Sequence, residues 1–166
     1  MSTPWQPGQA ITVIGAAHRR QGKPCQDASL CRQLQAGTEA LQLLLVADGH
    51  GGSRYWLSDV GSALACRQAE QAVRQALEHT PLSDQAGWLE LLRSGLARQI
   101  HAGWLEAVEG DWRQRAQAQK EPFSALSYGC TLGLVLIAPQ WWGCCGIGDW
   151  DLTAVAPDGS ARLLSE

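Results

Sequence analysis

Residues 41–52, LQLLLVADGHGG, decide the fold more than any other part of the chain. The apolar run at residues 41–47 predicts a strand that is buried on both faces. The run ends at the pentapeptide DGHGG (residues 48–52), which predicts a glycine-rich turn. A carboxylate at a strand end, followed by glycines that let a ligand approach the backbone, is a sensible site for a hard cation. A plain glycine turn, in which Asp48 accepts local backbone hydrogen bonds, explains the pentapeptide equally well.

Two amphipathic helices are predicted after this turn. Apolar residues recur three to five positions apart from about Ser53 onward, with charged residues between them, and Pro81 is expected to stop this first helix. A second stripe of apolar residues runs from Trp88 to Val108 and predicts the second helix. The polar stretch at residues 111–120 is expected to project into solvent.

Short strands make up the rest of the predicted fold. Residues 10–17 and 28–33 are expected to form strands before the glycine-rich turn. After the helices, turn-like sequences separate further strands that we expect to form sequential hairpins of an antiparallel sheet, at residues 127–137, 141–147, 151–155 and 160–164. Strands, then two long helices, then more strands is an α+β order, unlike the alternation of a nucleotide-binding fold.

Size and charge exclude several classes of protein. A chain of 166 residues predicts a single domain spanning residues 1–166. With 13 Lys and Arg against 16 Asp and Glu, the net charge is −3 and no extended basic cluster occurs, so nucleic acid is not an expected partner. The apolar stretches are far shorter than the roughly 20 residues that cross a bilayer, and the first residues contain no apolar signal core. We therefore expect a cytoplasmic protein with no membrane partner.

Two more aspartates are expected at strand ends, as Asp48 is. Asp27 lies in a loop between two predicted strands, and Asp149 lies in the tight connection between two others. Taken singly, each is more often a solvated turn residue than a ligand. If the strand ends meet at one rim, three carboxylates come together, which is unfavourable in apolar surroundings unless cations neutralise them. We therefore expect Asp27, Asp48 and Asp149 to converge on a shared site.

Four segments of the chain match one known family in order and spacing. They are residues 15–27 (GAAHRRQGKPCQD), 43–52 (LLLVADGHGG), 128–133 (YGCTLG) and 146–152 (GIGDWDL), with the two predicted helices between the second and third. They resemble the opening motif, central motif, small-residue strand and Gly-Asp motif of the PPM family of metal-dependent protein serine/threonine phosphatases, also called type 2C, especially its bacterial members. The resemblance implies a β-sandwich of antiparallel sheets flanked by helices. This chain would correspond to the N-terminal two-thirds of that domain and be C-terminally incomplete.

The resemblance also implies a two-metal site for Mn²⁺ or Mg²⁺ at one rim of the sandwich. Asp48 would bridge the two ions, the carbonyl of Gly49 would bind one of them, and Asp27 would act through bound water. Asp149 would serve an additional, weaker metal position. His50 would be the general acid that protonates the leaving serine or threonine oxygen.

The chain departs from the family pattern at two positions near Asp27. Gln26 stands where the family often has an acidic residue, so it offers only a neutral oxygen. Gly22 occupies the usual spacing of the phosphate-binding arginine, so Arg19, Arg20 or Lys23 would bind the substrate phosphate instead.

The resemblance implies a signalling enzyme that hydrolyses phosphoserine and phosphothreonine in a phosphorylated protein substrate and opposes a serine/threonine kinase. The family's remaining metal-binding aspartates lie in a C-terminal portion beyond these 166 residues, so the two-metal site is expected to be incomplete here. The alternative is a truncated or degenerate phosphatase-like module that binds partner proteins or phosphoproteins without turnover.

Overall fold

A four-stranded antiparallel sheet is the centre of the computed structural model, which describes residues 8–116 and 120–164. The strands lie in chain order, β1 (Ala28–Ala36), β2 (Glu39–Ala47), β3 (Leu132–Ile137) and β4 (Trp142–Ile147). Every neighbouring pair is antiparallel. The observed class is therefore α+β with an antiparallel sheet, which confirms this part of the prediction.

The helices follow the predicted order. A short helix, α1 (Ala16–Arg20), precedes the sheet, and α2 (Ser58–His79) begins soon after the DGHGG turn. The next helix, α3 (Gln85–Glu90), passes through a π-helical turn (Leu91–Gly95) into α4 (Leu96–Arg113). Residues 85–113 are thus one continuous helical segment, as the apolar stripe predicts. In the described residues, no helix is long and apolar enough to cross a membrane.

The core lies between one face of the sheet and the helices. Helices α2 and α4 pack against each other, and α2 also contacts β1, β2 and β3. The shared core contains fully buried side chains from all of these elements, including Leu43, Leu134, Val73 and Leu96. Burial of each such side chain contributes roughly 1.5–3 kcal/mol, so the apolar stripes fix which helix faces point inward. Both helices therefore pack on one face of the sheet.

The other face of the sheet, which we call the second face, carries Leu44, Val46, Val135 and Trp142. Side chains of β2 alternate in burial, and Val46 is 49% exposed, so the prediction that this strand is buried on both faces is wrong. In the described residues, the one other sheet is a separate two-stranded pair, β5 (Thr153–Val155) with β6 (Ala161–Leu163). A sandwich of two sheets is not seen there.

Two predicted strand arrangements are wrong. Residues 10–15 form no strand, and α1 follows them. Strand-like composition is not sufficient, because the backbone groups of a strand need a partner strand, and Ile11 here is 77% exposed. The predicted hairpin between β4 and β5 is also absent, because Gly148 takes a positive φ of 82° and Trp150 folds back onto the four-stranded sheet. The connection therefore leaves the sheet instead of adding a fifth strand.

The segments on either side of residues 117–119 also differ from prediction. Trp112 is buried at the end of α4, and the Asp111 carboxylate accepts a 2.5 Å hydrogen bond from the Tyr128 hydroxyl, so residues 111–112 do not project into solvent. Residues 117–119 of the predicted polar tail lie outside the described residues. A 3₁₀ turn (Ala125–Tyr128) occupies the start of the predicted strand at residues 127–137, and β3 begins only at Leu132.

Candidate functional site

The DGHGG turn is fastened to the segment that leads into β3. The N–H of His50 donates to the Gly129 carbonyl at 3.0 Å, and the N–H of Thr131 donates to the Asp48 carbonyl at 2.8 Å. The Thr131 hydroxyl accepts from the N–H of Asp48 at 3.1 Å. These bonds continue the pairing of β2 with β3 beyond the ends of both strands, and they fix the backbone of Asp48 just beyond the end of β2.

Gly49 lies where no side chain fits. A Cβ at this position would be 2.5 Å from the carbonyl oxygen of Gln26 and 2.8 Å from that of Ser58. The Gly49 N–H donates to the same Gln26 carbonyl at 3.1 Å, and the Gln26 amide donates to the Ser58 hydroxyl at 2.5 Å and to the His50 carbonyl at 3.2 Å. Gln26 therefore holds the preceding loop against the turn, which brings Asp27 beside Asp48.

Asp27, Asp48 and Asp149 line one cavity of about 320 Å³. Asp151 and Thr131 also line this space, which we call the acidic cavity. Asp27 precedes β1, Asp48 follows β2, and the two other aspartates follow β4, so four carboxylates come from three strand ends. The three aspartates singled out from the sequence are thus brought to one place in the fold.

The carboxyl groups of Asp27 and Asp48 contact each other directly. Burial raises the pKa of Asp27, and its hydrogen bond with Asp48 and the charge of Asp48 raise this pKa further. The positive charge available from His18 acts in the opposite direction. Two ionised carboxylates in contact repel each other, and this repulsion acts in the same direction as burial on the pKa of Asp27. A divalent cation would remove that repulsion.

Trp150 explains how Asp149 and Asp151 reach the acidic cavity. The indole lies flat against the second face of the sheet, over Gly133 and Gly146. A Cβ at Gly133 would be 2.7 Å from two indole carbons, and a Cβ at Gly146 would overlap the indole nitrogen. Two glycines side by side on β3 and β4 thus make room for the ring, which holds the turn that carries both aspartates.

His50, Arg19 and Arg20 lie apart from these carboxylates. The His50 side chain is exposed and lines a different cavity, and its ring contacts the Tyr55 ring edge-on with centroids 5.0 Å apart. Arg19 and Arg20 are exposed at the end of α1, and neither lines the acidic cavity. The basic residue that acts on Asp27 is their neighbour His18.

One protein-family model matches most of the chain. A family model described as protein phosphatase 2C matches residues 14–166, which include the DGHGG turn and all four aspartates of the acidic cavity. The chain belongs to the protein phosphatase 2C family. This confirms the resemblance that the four sequence segments indicate. A search of curated proteins found no match.

The donors of the acidic cavity fit the cation chemistry that is typical of 2C phosphatases. These phosphatases are typically metal-dependent, and Mg²⁺ and Mn²⁺ prefer carboxylate and carbonyl oxygens. Across residues 8–116 and 120–164, however, no three His, Cys, Asp or Glu side chains come close enough together to hold a metal ion. Within this lining Asp27 and Asp48 interact directly, and Asp149 lies on the wall of the same cavity.

Several residues that build this site are not predicted from the sequence. Asp151 lines the acidic cavity, and its signal is the spacing DWD, which puts two carboxylates on either side of an aromatic residue. His18 lies within the matched segment at residues 15–27, but its residue type and position there do not predict its action on Asp27. The linking role of Gln26 and the packing of Trp150 on two glycines have no local sequence signal, because their partners are distant in the chain.

Proposed function

We propose that this 2C family member is a metal-dependent protein serine/threonine phosphatase that hydrolyses phosphoserine and phosphothreonine. The observation that carries the proposal is the acidic cavity, where Asp27 hydrogen-bonds with Asp48 at the strand ends of a 2C family chain. Carboxylates alone would repel a phosphate ester, so the cavity fits this substrate when divalent cations lie between them. The partners would be phosphorylated proteins, and the enzyme would oppose a serine/threonine kinase.

The metal ligands would be Asp48, Asp27, the carbonyl of Gly49 and Asp149, holding Mn²⁺ or Mg²⁺. Bound cations supply a nucleophilic water at neutral pH and offset charge on the phosphoryl oxygens. Asp48 is the central ligand in this proposal because its backbone is fixed at the strand end and its carboxyl contacts Asp27. Asp149 would contribute from the turn that Trp150 holds against the sheet.

His50 would donate a proton to the leaving serine or threonine oxygen, and Arg19 or Arg20 would bind the substrate phosphate. Support for His50 is its position two residues after Asp48 on a turn whose backbone is fastened to Gly129. Because its side chain lines the other cavity, the proposal requires the leaving group to reach His50 across the edge of the turn. A His50→Gln variant should therefore retain metal binding and lose turnover.

A non-hydrolysing module that binds phosphoproteins or partner proteins is the second candidate. It is favoured by the small number of metal-ligating side chains that meet in the described residues, and by the neutral Gln26 before Asp27. Such a module would bind a phosphothreonine peptide and release it unchanged.

We also propose that the second face of the sheet is covered by another layer of strands in the working phosphatase, as the sandwich of the family implies. Support comes from the apolar residues of that face, where Val46 is 49% exposed and Trp142 is 50% exposed. Leaving large apolar side chains in water forfeits the free energy that burial would contribute.

Hydrolysis assays with p-nitrophenyl phosphate and a phosphothreonine peptide test the proposed function. With the second layer of strands in place, we expect turnover with added Mn²⁺ or Mg²⁺ and none with a chelator. Residues 1–166 alone should turn over little or no substrate, because few metal-ligating side chains meet in the described residues. Asp48→Asn should lower the rate by about 100-fold or more, because this residue would contact both ions. Asp158→Asn is the matched control, since Asp158 lies fully exposed in the turn between β5 and β6, where Asn is equally suited.

Two results would argue against the proposal. Robust turnover in the presence of chelator would exclude the metal-dependent mechanism. Binding of the phosphopeptide without turnover, at any Mn²⁺ or Mg²⁺ concentration, would favour the non-hydrolysing module instead.

A further inference from the structure

A cavity of about 390 Å³ lies on the helix side of the sheet, apart from the acidic cavity. Its walls come from α2, α4, β3 and β4, and its apolar lining includes Ala65, Ile100, Trp104, Leu134 and Cys145. We call this space the apolar cavity. Its volume lies within the roughly 300–1,000 Å³ that is typical of small-molecule sites.

Small residues and a fixed aromatic wall keep the apolar cavity open. Ala65, Ala97 and Gly129 line it and fill little space. The indole N–H of Trp104 donates to the Gly61 carbonyl at 3.0 Å, which fixes the ring at the wall. The cavity is therefore preformed, so a ligand would not have to order it on binding.

Histidine and tyrosine side chains supply hydrogen-bonding groups to the apolar cavity. His50 and His101 line it, whereas no Asp or Glu among the described residues does. His101 stacks on Trp104 with ring centroids 6.5 Å apart and planes 23° from parallel. The edge of the cavity also carries large apolar side chains in water, with Leu126 52% and Ile147 70% exposed. The lining thus combines apolar walls with imidazoles that can donate hydrogen bonds to an anion.

We propose that the apolar cavity binds a small amphipathic anion, an aromatic or aliphatic molecule that carries one carboxylate or sulfonate. The apolar part would pack against Ile100, Trp104 and Leu134, and the anionic group would accept hydrogen bonds from His101 and His50. Inorganic phosphate does not fit this lining, because it would lose its hydration without enough donors to replace it. The proposed ligand site occupies another cavity and needs no metal ion, and His50 is the residue that it shares with the proposed phosphatase activity.

Calorimetric titration with anilinonaphthalene sulfonate and its uncharged analogue phenylnaphthylamine tests the site on the full chain without metal. We expect one sulfonate per chain. Ala97→Phe should weaken binding of both probes by about tenfold or more, because the ring would fill the cavity. Ala102→Phe is the matched control: it places the same side chain on α4 at an exposed position outside the cavity, so binding should be unchanged. Circular dichroism and thermal unfolding of each variant check that the fold is retained, and Ala97→Leu is the smaller alternative at that site.

A second variant tests the predicted preference for an anion. Because His101→Gln removes a hydrogen bond to a charged group, it should weaken binding of the sulfonate by about tenfold. Binding of the uncharged analogue should be unchanged. Equal effects of Ala97→Phe and Ala102→Phe would overturn the proposal, because the probe would then bind elsewhere, for example on the second face. Equal loss of both probes in His101→Gln would overturn the assignment of an anionic ligand.

Discussion

Replacing Gly133 by alanine tests how the acidic cavity is built. The new Cβ would lie 2.7 Å from carbons of the Trp150 indole. Since ordinary contacts begin at 3.4 Å, the ring has to move by about 0.7 Å. Overpacking of this kind lowers the free energy of unfolding by about 1–3 kcal/mol. For a loss of about 2 kcal/mol in a chain of this size, the Tm should fall by about 4–8 °C. Added Mn²⁺ should also raise the Tm less than in the wild type, because the displaced turn carries Asp149 and Asp151.

Thermal and urea unfolding followed by circular dichroism measure this effect against two controls. Gly143→Ala on β4 places a Cβ 2.5 Å from a terminal methyl of Leu92, which can rotate away, so its cost should stay below about 1 kcal/mol. Gly133→Ala in a Trp150→Ala background removes the clash, so its cost should be much smaller than in the wild type. The reasoning is refuted if Gly133→Ala costs no more than Gly143→Ala, or costs the same with and without the indole.

Three further predictions concern groups with displaced pKa values. Tyr128→Phe removes a hydrogen bond to the Asp111 carboxylate and should cost about 1.5–3 kcal/mol in urea unfolding. Because burial and the Asp111 contact raise the pKa of Tyr128 to about 12, the wild type, unlike this variant, should lose stability through tyrosine ionisation between pH 10 and 12, where the unfolded chain ionises first. Asp27→Asn should raise the Tm near neutral pH in chelator and abolish stabilisation by Mn²⁺. Because burial and Asp48 raise the pKa of Asp27, wild-type stability should fall as pH rises above the ordinary value of 3.8. Thermal unfolding of the variant across pH should show no such fall. Burial raises the pKa of the Cys130 thiol to about 12, so a chromogenic disulfide reagent should modify it only after unfolding; rapid modification of Cys130 in the native chain, located among the six free cysteines by peptide mapping, would contradict this.

The parts of the fold that follow from the sequence are those where local pattern and burial agree. Helices α2 and α4 carry long apolar stripes, and the sheet buries the side of β2 that faces them. The segment at residues 10–15 has strand-like composition, but a strand also needs a neighbouring strand with free backbone groups. No local pattern reports whether that partner exists, so this prediction was wrong.

The candidate site likewise has a part that can be predicted from the sequence and a part that cannot. Positions of Asp27, Asp48 and Asp149 at strand ends follow from the alternation of strands and turns, and this is enough to predict that they share a rim. The orientation of a loop side chain is not fixed by such a pattern, and His50 lines the cavity on the helix side although it lies only two residues after Asp48. Contacts such as that of Trp150 with Gly146 join distant segments, and a single sequence does not reveal them.

The two interpretations of the DGHGG pentapeptide, a glycine turn or a cation site, differ in the role that they give Asp48, and Gly49 does not distinguish them. Gly49 is required by packing alone, since any side chain would meet the carbonyl oxygens of Gln26 and Ser58 whether or not a metal ion binds. Its presence therefore says nothing about chemistry. Asp48 is different, because its carboxyl lies against that of Asp27, a contact between like charges that the packing of Gly49 does not require. The unfavourable contact between Asp27 and Asp48, rather than the glycines of the motif, is the physical argument for a cation at this site.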